Sequence, residues 1–244
     1  MHGGSALLLL SFRSRDRLVC RTVPADGDVD ALGEKTPHYL YAPGAVDRMA
    51  SVLPGARLIV ILRDPVDRAF SHYWHQRRTN RETLDFEEAI ESEADRLRQG
   101  ERSFAYVERG RYLPQLQRVV GRYPRSALHV VLFEDLRDDP LATFEEVCRF
   151  LELDPSFVPS IAGQALNTFR QYRPAWLWKQ MFKRNLWSRL PKRPASALGR
   201  WMVRESAYPP IDSATRRTMA RMFASENAEL SAWLGRELSI WTQP

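Results

Sequence analysis

Leu58-Ile59-Val60-Ile61-Leu62-Arg63-Asp64-Pro65-Val66-Asp67 is the stretch that decides the fold. Five consecutive leucine and β-branched residues between Arg57 and Arg63 suit a strand buried on both faces, the pattern of a parallel sheet covered by helices. The residues that follow have the form of a helix start. Asp64 can cap, Pro65 fits the first turn without losing a hydrogen bond, and Asp67 favours the positive end of the helix dipole. The predicted helix runs through Ser71 and Trp74 to about Arg78.

Outward from this unit the chain repeats the theme. Ala45 to Leu53 reads as a helix closed by Pro54-Gly55, and Phe86 to Arg98 as another. Tyr112 to Val120 reads as a third. Leu128 to Phe133 is a second buried strand, followed by an acidic turn at Glu134-Asp135. Leu141 to Leu151 has helical apolar spacing, and Ala214 to Leu234 predicts a long last helix with Met219, Met222, Phe223, Leu230 and Trp233 inside. Strand, helices, strand, helix is the order of an α/β sandwich with a parallel central sheet. Residues 1–32 show no such order and are read as an irregular segment before one domain at 33–244.

Composition narrows the class. A chain of 244 residues that is 44% hydrophobic and carries seven tryptophans can build a core, which excludes global disorder. No apolar run approaches the roughly 20 residues of a membrane helix. The run Ala6 to Leu10 leads into Arg13, Arg15 and Arg17 rather than a cleavage site, so the expectation is a soluble, cytoplasmic protein. Cys20 and Cys148 lack metal-ligand spacing, and no disulfide or bound metal is expected. The net charge of +6 comes from arginine, because lysine occurs only at 35, 179, 183 and 192. Arginine pairs bidentately with phosphate oxygens, but an arginine-rich surface of solvated helices has the same composition.

Two local features carry chemistry. Arg63 stands at the carboxyl end of a predicted strand, where open α/β sheets bind ligands, and Ser71 lies two turns into the next helix. A guanidinium and a hydroxyl so placed can hold a phosphate. The alternative is an Arg63 salt-bridged to Asp64 or Asp67 and a Ser71 facing water. The cluster Gly33-Glu34-Lys35-Thr36-Pro37-His38-Tyr39 offers a lysine that can neutralise a transferred anionic group, or one simply paired with Glu34.

Together the two features resemble the sulfotransferases that use 3′-phosphoadenosine 5′-phosphosulfate (PAPS), most of all the heparan-sulfate type and its bacterial relatives. The likeness rests on Glu34-Lys35-Thr36-Pro37 with Tyr39, then Arg63-Asp64-Pro65 with Arg68, Ser71 and Tyr73. It continues through Glu108-Arg109-Gly110-Arg111-Tyr112, Phe133-Glu134-Asp135-Leu136, Phe150-Leu151-Glu152-Leu153 and Asn227 to Trp241. The resemblance implies a three-layer fold like that of the P-loop nucleoside-triphosphate hydrolases. It implies PAPS as co-substrate, gripped at its 3′-phosphate by Arg63 and Ser71, with Lys35 near the sulfuryl group. It also implies a place near the acceptor for His75, which reads equally as an exposed helix histidine. The acceptor would be a small molecule or glycan bearing a hydroxyl or amine.

The sequence departs from that family at its start. The family carries a lysine-containing phosphate loop after its first strand, and His2-Gly3-Gly4-Ser5-Ala6-Leu7 has neither the lysine nor a strand before it. The family's glutamate base falls in the same missing stretch, and Glu34 does not match it by position. The expectation is a sheet lacking its first strand. Three readings stand side by side: a shortened enzyme, a degenerate relative that binds nucleotide without catalysis, and an unusual phosphate site from residues 1–32. A basic nucleic-acid-binding domain is a fourth, because Tyr172 to Arg193 interleaves aromatic and basic side chains.

Overall fold

The computed structural model describes residues 7–12, 31–159, 170–172, 203–205 and 208–241. The chain divides into two compact units, His2–Gln164 with Ile211–Pro244, and Ala165–Pro210 with Met1. In chain order the first unit contains β1 (Leu7–Phe12), β2 (Leu32–Thr36), α1 (Ala45–Val52), β3 (Arg57–Leu62) and α2 (Pro65–Arg78). Then follow α3 (Phe86–Glu91), α4 (Glu93–Arg98), α5 (Tyr112–Val120), β4 (Leu128–Leu132), α6 (Phe133–Asp138) and α7 (Pro140–Leu151). Its last helix is α8 (Ser213–Leu234). The second unit holds a short antiparallel pair, β5 (Arg170–Tyr172) with β6 (Val203–Glu205). Residues 173–193, which carry most of the aromatic-basic pattern, lie outside the described residues.

The sheet order is β2-β1-β3-β4. β3 and β4 are parallel, with Leu58 opposite Leu128 and Leu62 opposite Leu132. β1 is antiparallel to both its neighbours, Leu8 facing Thr36 on one side and Val60 on the other. It follows that β2, β3 and β4 all point the same way, and their carboxyl ends share one edge. Two expectations are corrected here. Residues 7–12 form a strand within the stretch read as irregular, and the slot between β2 and β3 is filled, by a strand running backwards. Four leucines in a row satisfy a strand in either direction, so their pattern cannot fix its polarity. The polar cluster at Gly33 to Thr36 is the body of β2.

β3 is the inner strand that its sequence demands. Leu58, Val60 and Leu62 are fully buried on one face and Ile59 on the other. Leu58, Val60 and Leu62 join Leu116 and Val119 of α5 and Leu230 of α8 in the main core, where Trp241 is also buried. In α8, Met219, Phe223 and Leu230 point inward as expected, but Met222 is exposed and Asn227 is buried. Cys148 is a buried free thiol. Gly110 sits in tight packing, since a Cβ there would stand 3.0 Å from the Phe223 ring and 3.1 Å from Pro65.

Two helix boundaries differ from the pattern. The helix expected over 86–98 is broken at Ser92, whose hydroxyl bonds the Ala89 carbonyl at 3.2 Å and competes with the helical ladder. The acidic turn after β4 is instead the helix α6, entered directly from the strand. No described helix is long and apolar enough to cross a membrane.

Candidate active site

The carboxyl ends of β3 and β4 bring Arg63 and Glu134 together, whereas Lys35 of β2 is level, across Leu9, with Ile59, four residues before Arg63. Lys35 is exposed at the last but one position of β2, and its side chain makes no hydrogen bond or ion pair with a described residue. Glu34 is not its partner, because Glu34 Oε1 accepts from the Tyr39 hydroxyl at 2.7 Å. That bond, with burial, pushes the Tyr39 phenol up to about 12.

Arg63 is the first residue past β3, and both ends of the peptide that joins it to Asp64 are held. The Tyr112 hydroxyl donates to the Arg63 carbonyl at 2.9 Å, and the Asp64 N–H donates to Glu134 Oε1 at 3.1 Å. Tyr112 and Glu134 are both buried. Asp64 also accepts from the N–H groups of Val66 at 2.7 Å and Asp67 at 3.1 Å, which is the expected cap of α2. Burial raises the Asp64 carboxyl to about 6, against these bonds and the nearby Arg216 charge.

The Arg63 guanidinium lies 5.1 Å above the Phe133 ring and 3.5 Å from Asp67. The anticipated Arg63–Asp67 pair therefore exists, but Asp67 also pairs with Arg216 of α8, at a shorter separation. A carboxylate engaged by a second arginine leaves Arg63 loosely held and still half-exposed. Ser71 is one turn beyond Asp67 on the same helix face, and its hydroxyl has no partner among the described residues. His75 is a further turn along, half-buried, with Nδ1 3.3 Å from an Arg78 nitrogen.

Behind this face lies a buried polar layer that the sequence reading missed. Arg68 is fully buried, and one of its nitrogens donates to the Tyr106 carbonyl. His72 stacks edge-on to Tyr106 at 5.0 Å, and burial followed by the Arg68 charge holds its ring far below the usual imidazole range. Arg109 lies 4.7 Å above the Tyr41 ring, and burial followed by Arg68 lowers it to about 10. Arg68 to His72 is an i,i+4 step next to the quoted Ser71, which was the one signal available in sequence.

Similarity to known proteins agrees with this geometry. The model of the Sulfotransferase family matches residues 5–157. The human protein named bifunctional heparan sulfate N-deacetylase/N-sulfotransferase 3 is 31% identical over 227 residues, covering 90% of this chain and 24% of that protein. The mouse protein of the same name numbered 4 is 30% identical over 227 residues, covering 89% and 24%. The chain thus spans about a quarter of the length of these curated relatives. The crystal structure of a sulfotransferase from Alicyclobacillus acidocaldarius superposes with a TM-score of 0.64 at 28% identity, covering 85% of this chain and 66% of that one.

Proposed function

This chain belongs to the sulfotransferase family, the match covering more than half of its length, and we propose that it moves a sulfuryl group from PAPS to a hydroxyl or amine of a carbohydrate acceptor. The observation that carries this reading is Arg63, fixed at the carboxyl edge by the peptide clamp and lying on the same side of α2 as Ser71. In this reading Arg63 and Ser71 hold the 3′-phosphate by one charge-assisted pair and one neutral hydrogen bond. Such a phosphate would replace the long contact to Asp67, whose charge Arg216 already balances.

Lys35, exposed and without a side-chain partner among the described residues, is the cation assigned to the sulfuryl oxygens. The donor supplies an activated sulfuryl group, and the chain's part is to align it and balance charge on its oxygens. His75, two turns past Asp67, is assigned to the acceptor side. A carbohydrate acceptor is favoured because the named relatives are heparan sulfate enzymes.

The fit to the donor is uneven. The 3′-phosphate end has its cation and hydroxyl. For the 5′ end, β1 runs antiparallel to β3, so its amino end, with Leu7 opposite Ile61, is the end nearer Arg63.

Calorimetric titration with adenosine 3′,5′-bisphosphate and with AMP tests the reading. Binding that requires both the 3′-phosphate and Arg63 is expected, followed by transfer of labelled sulfate from PAPS to sugar acceptors. A folded protein that treats the two nucleotides alike would sink it. Nucleotide-selective binding without transfer would favour the reading in which the chain binds but does not catalyse.

A further inference from the structure

We propose that Arg68, Arg109 and His72 form an enclosed binding site for a small monatomic anion of the halide class, between α2 and residues 102–110. The inference does not depend on sulfuryl transfer. It starts from a charge imbalance. Arg68 is 0% exposed and Arg109 7%, yet neither forms an ion pair with any described carboxylate. A buried guanidinium without a counter-charge is costly, so an anion belongs nearby.

Glu93 is the natural candidate within the protein, and it is occupied. Its Oε2 accepts from the Val107 N–H at 2.6 Å and its Oε1 from the Glu108 N–H at 2.8 Å. Among the described residues, two buried positive charges face this one carboxylate, an excess of one. The other groups near the arginines, Tyr41 and Tyr112, are phenols that stay neutral because burial raises them.

Donors also remain over. Nε and one terminal nitrogen of Arg68, Nε of Arg109 and Nδ1 of His72 are buried with no hydrogen-bond partner. The His72 atom is a donor for a definite reason. The Gln76 amide nitrogen, which donates to the Ser103 carbonyl at 2.6 Å, is 3.4 Å from His72 Nε2. An amide nitrogen can only donate, so Nε2 accepts and the single proton of the neutral ring sits on Nδ1. These donors belong to one neighbourhood, because Arg68 and His72 are one turn apart on α2 and both meet Tyr106, three residues before Arg109.

Size selects the occupant. Arg68 has no exposed surface, and His72 is 6% exposed, so the acid group of a polymer chain has no approach to them. A halide needs only N–H donors around it, and that is what this layer offers.

The test uses the full chain, melted while sodium bromide or chloride replaces a bulky sulfonate salt at constant ionic strength. A saturable rise of roughly 2–6 °C is expected for the wild type, and loss of the saturable part in Arg109→Gln. Crystals grown in bromide should give an anomalous peak within hydrogen-bonding distance of Arg68 Nε. A rise that does not saturate, or one that Arg109→Gln retains, would overturn the proposal. So would water without anomalous signal beside Arg68. Should Arg109→Gln fail to fold, the bromide crystals of the wild type decide alone.

Discussion

The hydroxyl of Tyr112 reaches across from α5 to the carbonyl oxygen of Arg63, 2.9 Å away, and thereby fixes a residue forty-nine positions earlier at the end of β3. Burial raises the Tyr112 phenol to about 12, so this donor keeps its proton at any working pH. Tyr112→Phe keeps the ring in the core and removes only the hydrogen bond. It should cost about 1 kcal/mol of stability. It should also weaken adenosine 3′,5′-bisphosphate binding by roughly 3–10-fold while leaving AMP binding unchanged, because the clamp acts on Arg63 and not on the adenine. Calorimetry with both nucleotides separates this outcome from a general loosening, which would weaken the two alike.

Ser71→Ala and Arg63→Ala should differ in size. A charge-assisted bond contributes about 1.5–3 kcal/mol and a neutral one about 0.5–1.5. Arg63→Ala is therefore expected to lower affinity for the bisphosphate by roughly 10–100-fold and Ser71→Ala by about 3–10-fold, with neither affecting AMP. An equal or larger effect at Ser71 would remove Arg63 from the phosphate.

Much of this frame was legible because burial and capping leave strong marks in sequence. The unbroken apolar run at Leu58 to Leu62 placed β3, and Asp64-Pro65 placed the first turn of α2 where it is found. Strand direction left no such mark. Leu7 to Leu10 pairs equally well either way, so only the register with Thr36 and Val60 shows that β1 runs backwards. The clamp was out of reach for another reason. Tyr112 and Glu134 stand among the quoted motifs, but hydrogen bonds between residues 49 and 70 apart in sequence have no local signature. The buried Arg68 layer was hidden because an arginine in an i,i+4 helix pattern reads as solvated.

Asp64 gives a pH prediction with a definite sign. Its folded pKa, about 6, lies above the ordinary 3.8, so between those values the folded state binds more protons than the unfolded one. Stability from this group is full below about 4 and is lost as pH rises through about 6. The loss amounts to about 2–3 kcal/mol. Asn can cap a helix too, so Asp64→Asn should fold and show a flatter dependence over that window. Urea unfolding at intervals between pH 4 and 7 measures it, and an unchanged slope in the variant would exclude Asp64 as the source.

Glu82 acts with the opposite sign. Burial disfavours its charge, but Arg96, the N–H groups of Leu84 and Thr83, and the Tyr106 hydroxyl outweigh that and hold it down to about 2. Its side chain is fully buried. The stability it gives is present above about 4.5 and lost as pH falls toward 2. Glu82→Gln leaves Arg96 without its counter-charge and should cost about 3–5 kcal/mol. Thermal unfolding of the variant at pH 7 reads this directly, and a shift under 2 °C would show the pair to be replaceable.

The position of β1 makes the last prediction. Leu9 faces Lys35 on one side and Ile59 on the other, so this strand alone connects β2 to the rest of the sheet. Proline at position 9 removes an N–H and its ring cannot sit in a strand paired on both sides. Leu9→Pro should therefore cost about 3 kcal/mol or more and release β2, and with it Lys35, from the sheet. Amide exchange would show lost protection at Lys35 and Thr36 while β3 and β4 stay protected, because their parallel pairing does not pass through β1. Sulfuryl transfer should fall together with β2 protection, whereas bisphosphate binding through Arg63 and Ser71 should persist. Unchanged protection at residues 32–36 would mean that β2 is anchored by something other than β1.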